Sequence, residues 1–199
     1  MISGVVLAAG EGRRFGGTKQ LALLEGRPLV LHAVETLRDA GLDEIVVVTG
    51  HDAEAVEAVL PPDVRAVRNP AYRDGQSTSL GAALHALGDD SEAAVILVAD
   101  QPGVAAADLR ALIDGFRRTR QAIVRLRYDD GPGPALLSRE IYAEAGHLHG
   151  DTGARVLMAS HPEWVAEVTV AGPSPRDVDE PGDLPAYSGG EEVVDPDHG

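Results

Sequence analysis

Val5-Val6-Leu7-Ala8-Ala9-Gly10-Glu11-Gly12-Arg13-Arg14-Phe15-Gly16-Gly17-Thr18-Lys19 is the stretch on which the reading of this chain turns. Val5 to Ala9 is an apolar run of strand length, and Gly10 ends it. A glycine-rich turn follows through Gly17, where missing side chains let the backbone come close to a ligand. Outward from there, apolar patterns of two kinds alternate. Leu29 to Ala40 carries Leu31, Val34, Leu37 and Ala40 at helical spacing, with Gly41 at its end. Ile45 to Val48 reads as a strand buried on both faces. Asp52 to Leu60 reads as a helix stopped by Pro61-Pro62, and Val64 to Val67 as a short strand. Ser77 to Leu87 is a helix whose first residues, Ser77, Thr78 and Ser79, are suited to capping its free amides. Ala94 to Ala99 is a strand ended by Asp100-Gln101-Pro102, Ala106 to Thr119 a helix, and Ala122 to Leu126 a further strand. This alternation predicts an α/β protein with an open, mostly parallel sheet and helices on both faces. Later the pattern changes, to a Gly-Pro turn over Gly131 to Pro134 and an apolar Ala135 to Leu137. Helices are expected over Arg139 to Ala145 and Gly153 to Ala159, and a strand over Trp164 to Val170.

Three chemistries compete for the turn. A P-loop, G-x-x-x-x-G-K-[ST], would fit Gly12 and Gly17, but Thr18-Lys19 follows in inverted order. That moves the ammonium by one residue and removes the hydroxyl that would meet magnesium. A dinucleotide-binding turn would fit Gly10, Gly12 and Gly16. It expects an acid at the end of the second strand, about 20 residues on, whereas Asp52 stands about twice as far away. The remaining reading is a loop that grips a triphosphate. Its amides approach phosphate oxygens, while Arg14 as a fork and Lys19 as a point charge neutralise them. Of 17 basic residues only Lys19 is lysine, and it sits in this loop.

At 199 residues the chain fits one domain, and its 44% hydrophobic content is that of a folded protein. It has no cysteine, so neither disulfides nor thiolate metal sites enter. No apolar run reaches the ~18 residues that a membrane span needs, and Ile2 to Ala9 reads as a strand and not as a signal peptide. The cytoplasm is the expected location. The net charge is −15, and eight of the acids lie from Asp177 onward, which leaves −7 on the first 176 residues. This balance argues against nucleic-acid binding, which needs a basic face. From Ala186 the chain is polar, acidic and glycine-containing, and is expected to be disordered.

Leu7-Ala8-Ala9-Gly10-x-Gly12-x-Arg14-Phe15-Gly16-x-x-Lys19 resembles the signature of the MobA-like NTP-transferase family. The similarity continues through Gly26-Arg27-Pro28-Leu29, Gly75-x-Ser77-x-Ser79-Leu80, Asp100-Gln101-Pro102, Gly150-Asp151-x-Gly153-Ala154-Arg155 and Asp177-Val178-Asp179-x-Pro181. It spans residues 4 to 185 in order. Ala8-Ala9 is most similar to the molybdenum cofactor cytidylyltransferases, since the guanylyltransferases tend to have Gly-Gly there. The resemblance implies a three-layer, Rossmann-like nucleotidyltransferase fold with a single domain over residues 1–185. Residues 1–100 would form its nucleotide-binding half, residues 101–185 its acceptor-binding half, and 186–199 an acidic tail.

The activity so implied is transfer of a nucleoside monophosphate, CMP from CTP being favoured, to a phosphorylated pterin such as molybdenum cofactor. Pyrophosphate would leave with Mg2+ bound, and a molybdoenzyme apo-protein is a possible partner. Other readings are another phosphorylated acceptor, an NAD(P)H-dependent oxidoreductase of the same family, or a non-catalytic carrier of the cofactor. Leu7, Ala8, Ala9, Gly10, Gly12, Arg14, Lys19, Gly75, Ser77 and Ser79 would bind the nucleotide, and Arg14, Lys19 and Asp100 would be catalytic. Asp100, at the carboxyl end of a central strand, and Asp179 would hold the metal, although Asp179 also reads as one more charge of an acidic tail. Asp151 and Arg155 would bind the acceptor, or form a local ion pair if helical. His147 and His149 read as solvated. Relatives carry Gly-His-Pro where this chain has Gly131-Pro132-Gly133-Pro134, with glycine in the histidine's place, and that departure bears on the acceptor.

Overall fold

A computed structural model describes residues 1–148, 150 and 154–187. The first strand, β1 (Ile2–Ala8), leads through the glycine-rich loop to a small hairpin, β2 (Leu23–Leu24) and β3 (Arg27–Pro28). There follow α1 (Leu29–Asp39), β4 (Ile45–Thr49), α2 (Ala53–Val59), β5 (Arg65–Arg68), α3 (Gln76–Ala86), β6 (Ala93–Val98) and α4 (Ala106–Thr119). The last third holds β7 (Ile123–Arg127), β8 (Pro132–Ser138), α5 (Tyr142–Gly146), α6 (Arg155–Ser160) and β9 (Val165–Thr169).

These build a seven-stranded sheet in the order β5-β4-β1-β6-β8-β7-β9. The β5-β4, β4-β1, β1-β6 and β7-β9 pairs are parallel, and β8 runs against both of its neighbours. Alternate residues of each strand face opposite layers. Val6, Val47, Val95 and Leu97 join Val30, Val34 and Leu37 of α1 and Leu109, Leu112 and Phe116 of α4 in one core layer. Val5, Val46, Val48 and Ala94 join Leu80, Ala83 and Leu84 of α3 in the other. Helices therefore cover both faces, and buried Val, Ala and Leu do the work that aromatics do elsewhere.

The chain winds from β1 outward to β4 and β5, then returns to the far side of β1 as β6. The carboxyl ends of β1 and β6 thus flank a reversal of strand order, where open α/β sheets bind ligands. The glycine-rich loop leaves one of these ends and Asp100 the other.

Two local expectations are corrected. Of the Gly131 to Pro134 segment, Gly131 closes a turn by accepting from Tyr128 N–H at 2.8 Å, while Pro132 to Pro134 are the start of strand β8. Both prolines precede the first pairing with β6, at Ile96 and Ala135, and Pro132 meets β7 at Arg127 next to a shift of register, the irregular strand end where proline is tolerated. The Ser77-Thr78-Ser79 cluster does not cap α3. The cap position is Gly75, at φ 114°, with no side-chain cap bond. Thr78 and Ser79 instead accept hydrogen bonds from Asn69 Nδ2, at 2.8 and 3.0 Å. Asp52 precedes α2 in a left-handed conformation and does not cap it; its carboxylate accepts a hydrogen bond from Thr18 of the glycine-rich loop. The expectation about the tail falls largely on residues 188–199, outside the described residues.

Candidate active site

The glycine-rich loop closes on itself. Phe15 and Gly16 donate to the Gly12 carbonyl, at 2.9 and 3.2 Å, and the buried Gln20 amide donates to the Gly10 carbonyl at 2.8 Å. Gly12 has φ 58°, and a Cβ there would stand 2.8 Å from the Gly17 carbonyl oxygen and 3.0 Å from Lys19 Cβ. Only glycine fits that fold-back, and the fold-back sets the start of the Lys19 side chain.

Lys19 reaches across the carboxyl end of the sheet. Its ammonium donates to Asp100 Oδ2 at 2.6 Å and Asp179 Oδ1 at 3.4 Å. The lysine side chain is 13% exposed, against 30% and 41% for the two carboxylates. Asp179 arrives from the far end of the chain because Val178 is fixed. Its N–H donates to the Asp100 carbonyl at 2.8 Å, and its side chain is buried in a cluster with Leu24 and Leu29 on which Phe15 packs. Asp183 completes the placement by accepting from the Asp179 and Glu180 amides, both at 2.8 Å. Those two donors hold its carboxyl below the usual range, the Glu180 amide contributing most. Arg14 Nη1 lies 3.1 Å from Asp179 Oδ2. The two sequence-predicted metal ligands and both predicted catalytic cations therefore meet in one cluster.

Two cavities adjoin this cluster. One of about 460 Å³ is lined by Ala9, Gly10, Gly12, Lys19, Ser79 and Asp100, among others. A second of about 580 Å³ is lined by Ile96, Pro134, Arg125, Arg155, Asp177 and Asp100, among others. Leu7, Gln76, Val98 and Asp100 border both. Asp100 thus stands where a ligand in one cavity would face a ligand in the other.

Not every predicted residue touches the first cavity. Ala8 is buried on the α1 and α4 side of the sheet, as strand alternation requires. Ser77 is 1% exposed and lines neither cavity. Gly75 is where the chain meets Gly150, since a Cβ would stand 2.3 Å from that carbonyl carbon. Arg155 borders the second cavity. Asp151 and His149 lie outside the described residues. At Gly133 a Cβ would stand 2.4 Å from Tyr128 Cε2. The Tyr128 ring, buried and donating to Asp108 Oδ2 at 2.8 Å, takes the space that a larger residue at 133 would need.

Sequence reasoning missed several lining residues. Glu11 pairs with Arg13 and with Arg73, at 2.7 and 2.8 Å, and so links the loop to the turn before α3. Hydrogen bonds from Arg13 first and Arg73 second keep its carboxyl below the ordinary range. Arg125 is a charged residue in the middle of an apolar strand, a departure from pattern that was itself a signal. Its Nη2 donates to Glu167 of β9 and holds that carboxyl low.

The model of the MobA-like NTP transferase domain matches residues 4–165. The chain belongs to this family. Its fold and its family are those of the nucleotidyltransferases. It is similar to the crystal structure of Rv0371c from Mycobacterium tuberculosis H37Rv, with a TM-score of 0.82 and 35% identity over 94% of this chain and 96% of that one. A manganese complex of the same protein matches with a TM-score of 0.78 and 34% identity, over 94% and 97%. The nicotine blue oxidoreductase of Paenarthrobacter nicotinovorans is 33% identical over 177 residues, 84% of this chain and 85% of that protein. The bifunctional protein GlmU of Burkholderia lata is 37% identical over 140 residues, 68% of this chain. The MobA-like chain spans 30% of the length of that curated relative. Among the described residues no helix is long and apolar enough to cross a membrane.

Proposed function

We propose that this protein is a cytoplasmic enzyme that transfers CMP from CTP to a phosphorylated acceptor of the molybdopterin type, with release of pyrophosphate. The observation that carries the reading is the convergence of Lys19, Asp100 and Asp179 at the meeting point of two cavities. Among the described residues, the lining of the 460 Å³ cavity comes from the first 100 positions, which supports a donor half followed by an acceptor half.

The two carboxylates suit a divalent cation. They point at one atom, Lys19 Nζ, and magnesium is commonly held by one or two carboxylates with phosphate oxygens and water. No group of three or more His, Cys, Asp or Glu that could hold a metal occurs among the described residues, so phosphate would complete the shell. Asp100 and Asp179 would hold Mg2+, which when bound draws the anionic donor and acceptor together and spreads the charge that develops on the α-phosphate. Lys19 and Arg14 neutralise the triphosphate, and the amides around Gly10 and Gly12 orient it. An acceptor phosphate oxygen then attacks the α-phosphorus, and the bond to the β-phosphate breaks with its electron pair going to pyrophosphate. The chain's contribution is positioning and charge.

A second reading is favoured by one observation, the likeness to nicotine blue oxidoreductase over most of both chains. Thermal-shift titration with CTP, GTP, ATP, UTP and NADPH, with and without magnesium, separates the two, because ligands of the folded state raise its melting temperature. A magnesium-dependent shift with CTP is expected. A shift with NADPH and none with any triphosphate would replace the proposal by an oxidoreductase.

A further inference from the structure

Arg125 sits on β7 opposite Glu167 of β9 and borders the 580 Å³ cavity together with Arg155. Its side chain is 25% exposed, and its three nitrogens are unequally used. Nη2 donates to the Glu167 carboxylate. Nη1 has a contact of 3.8 Å to the Met158 sulfur, a weak acceptor. Nε is buried and has no hydrogen-bond partner among the described residues. A guanidinium in the interior of a sheet is costly to leave undersatisfied, and an apolar residue would fill the position more simply. The Glu167 pair fixes the plane of the fork, which leaves the Nη1 edge without an oxygen acceptor.

The charges around the cavity say what that acceptor is. Asp100 is engaged by Lys19, and Asp177 accepts from Gln101 Nε2 at 2.6 Å. Among the described residues the two arginines face no such partner across the cavity, and much of the remaining wall is apolar: Leu80, Ile96, Val98, Pro134 and Met158. Arg125 does not border the donor cavity, so a triphosphate seated there is not its target.

We propose that Arg125, held in plane by Glu167, binds the phosphate of the acceptor, with Arg155 as a second cation, and that the acceptor is a phosphomonoester whose body has a flat face to lay on the apolar part of the wall. This rests on the nucleotidyl-transfer reading for what the phosphate does next, though not for its binding. Arg125 is a specificity-determining residue and Glu167 a positioning residue. Forked guanidinium contacts to phosphate are shape-selective, so lysine is not an equivalent.

The test is calorimetric titration of the full chain with phenyl phosphate, free and after saturation with CTP and magnesium. Wild type is expected to bind in both states. Arg125→Gln should weaken binding by about tenfold or more, and Arg125→Lys and Glu167→Gln by about threefold, with CTP affinity in all variants within about twofold of wild type. If Arg125→Gln does not fold, Arg125→Lys carries the comparison. The proposal is overturned if wild type does not bind phenyl phosphate, if the folded Arg125 variant binds it as wild type does, or if CTP binding falls equally. Failure of wild type to bind any triphosphate with magnesium would sink the donor reading instead, and the Arg125 comparison on the free protein would still stand or fall by itself.

Discussion

Replacing Lys19 by alanine has two consequences of opposite sign. Lys19 Nζ lies 2.6 Å from Asp100 Oδ2 and 3.4 Å from Asp179 Oδ1. The two oxygens are therefore no more than about 6 Å apart, the limit set by those two distances to a shared atom. Without the ammonium they are like charges facing one another. Coulomb's law gives roughly 0.7 kcal/mol of repulsion at the dielectric of water and about 3 kcal/mol at an effective value of 20. Partial exposure of both carboxylates places the loss of fold stability toward the lower half of that range. The same change frees both carboxylates for a cation, so nucleotide-free Mn2+ should bind more tightly to the variant than to wild type. The triphosphate loses a fixed cation, and one such contact is typically worth about 3–4 kcal/mol, or roughly 10²–10³ in rate. Three titrations check this: urea unfolding, Mn2+ binding followed by electron paramagnetic resonance, and CTP binding by calorimetry. Tighter metal with weaker nucleotide is the expected pair of results. Unchanged Mn2+ affinity together with unchanged CTP affinity would refute the role given to Lys19.

Gly12→Ala should lose about 1–2 kcal/mol from its left-handed backbone alone, and should weaken CTP at least tenfold by calorimetry, because its Cβ would press on the Gly17 carbonyl at 2.8 Å. Gly133→Ala must displace the Tyr128 ring, so a loss of about 1–3 kcal/mol in urea unfolding is expected with CTP affinity unchanged. Asp183→Ala should weaken Mn2+ binding in the presence of CTP several-fold by releasing the Asp179 amide, without changing the core. The native pKa of Asp183 lies below its ordinary value, so its contribution is present above about pH 3.8 and fades as pH falls through the lowered native pKa. Acid titration followed by circular dichroism should show wild type gaining more stability across that interval than Asp183→Ala, in which Glu11 and Glu167, also held low, still contribute.

Much of the fold was legible because the period of the apolar residues changes cleanly. The alternation from Val5 to Leu126 covers five of the seven strands of the sheet and helices on both of its faces, and Ala106 to Thr119 matches α4 to the residue. What misled was local composition. Glycine and proline at 131–134 read as a turn, yet Pro132 already stands opposite Arg127 of β7, beside a shift of register, and only the pairing with β6 waits until Ala135. The hydroxyls of Ser77, Thr78 and Ser79 read as caps, but a capping hydroxyl cannot be told from one that ties down a preceding loop until Asn69 is placed. The site was legible where the side chains share a loop, as Gly10, Gly12 and Lys19 do. Asp179 was legible only by resemblance, since its approach to Lys19 depends on burial of Val178 and a hydrogen bond to the Asp100 carbonyl. Arg73, which reaches Glu11 across the donor cavity, had no sequence signal, because a cross-chain ion pair leaves no spacing.

The central claim is that Asp100 and Asp179 together hold the divalent cation of a bound nucleoside triphosphate. Mn2+ titration in the presence of CTP, read by electron paramagnetic resonance on wild type, Asp100→Asn and Asp179→Asn, tests it without knowledge of the acceptor. The account predicts a nucleotide-dependent Mn2+ site in wild type that each substitution weakens by about tenfold or more while the melting temperature shows the fold intact. Wild-type affinity retained in both folded variants would contradict it.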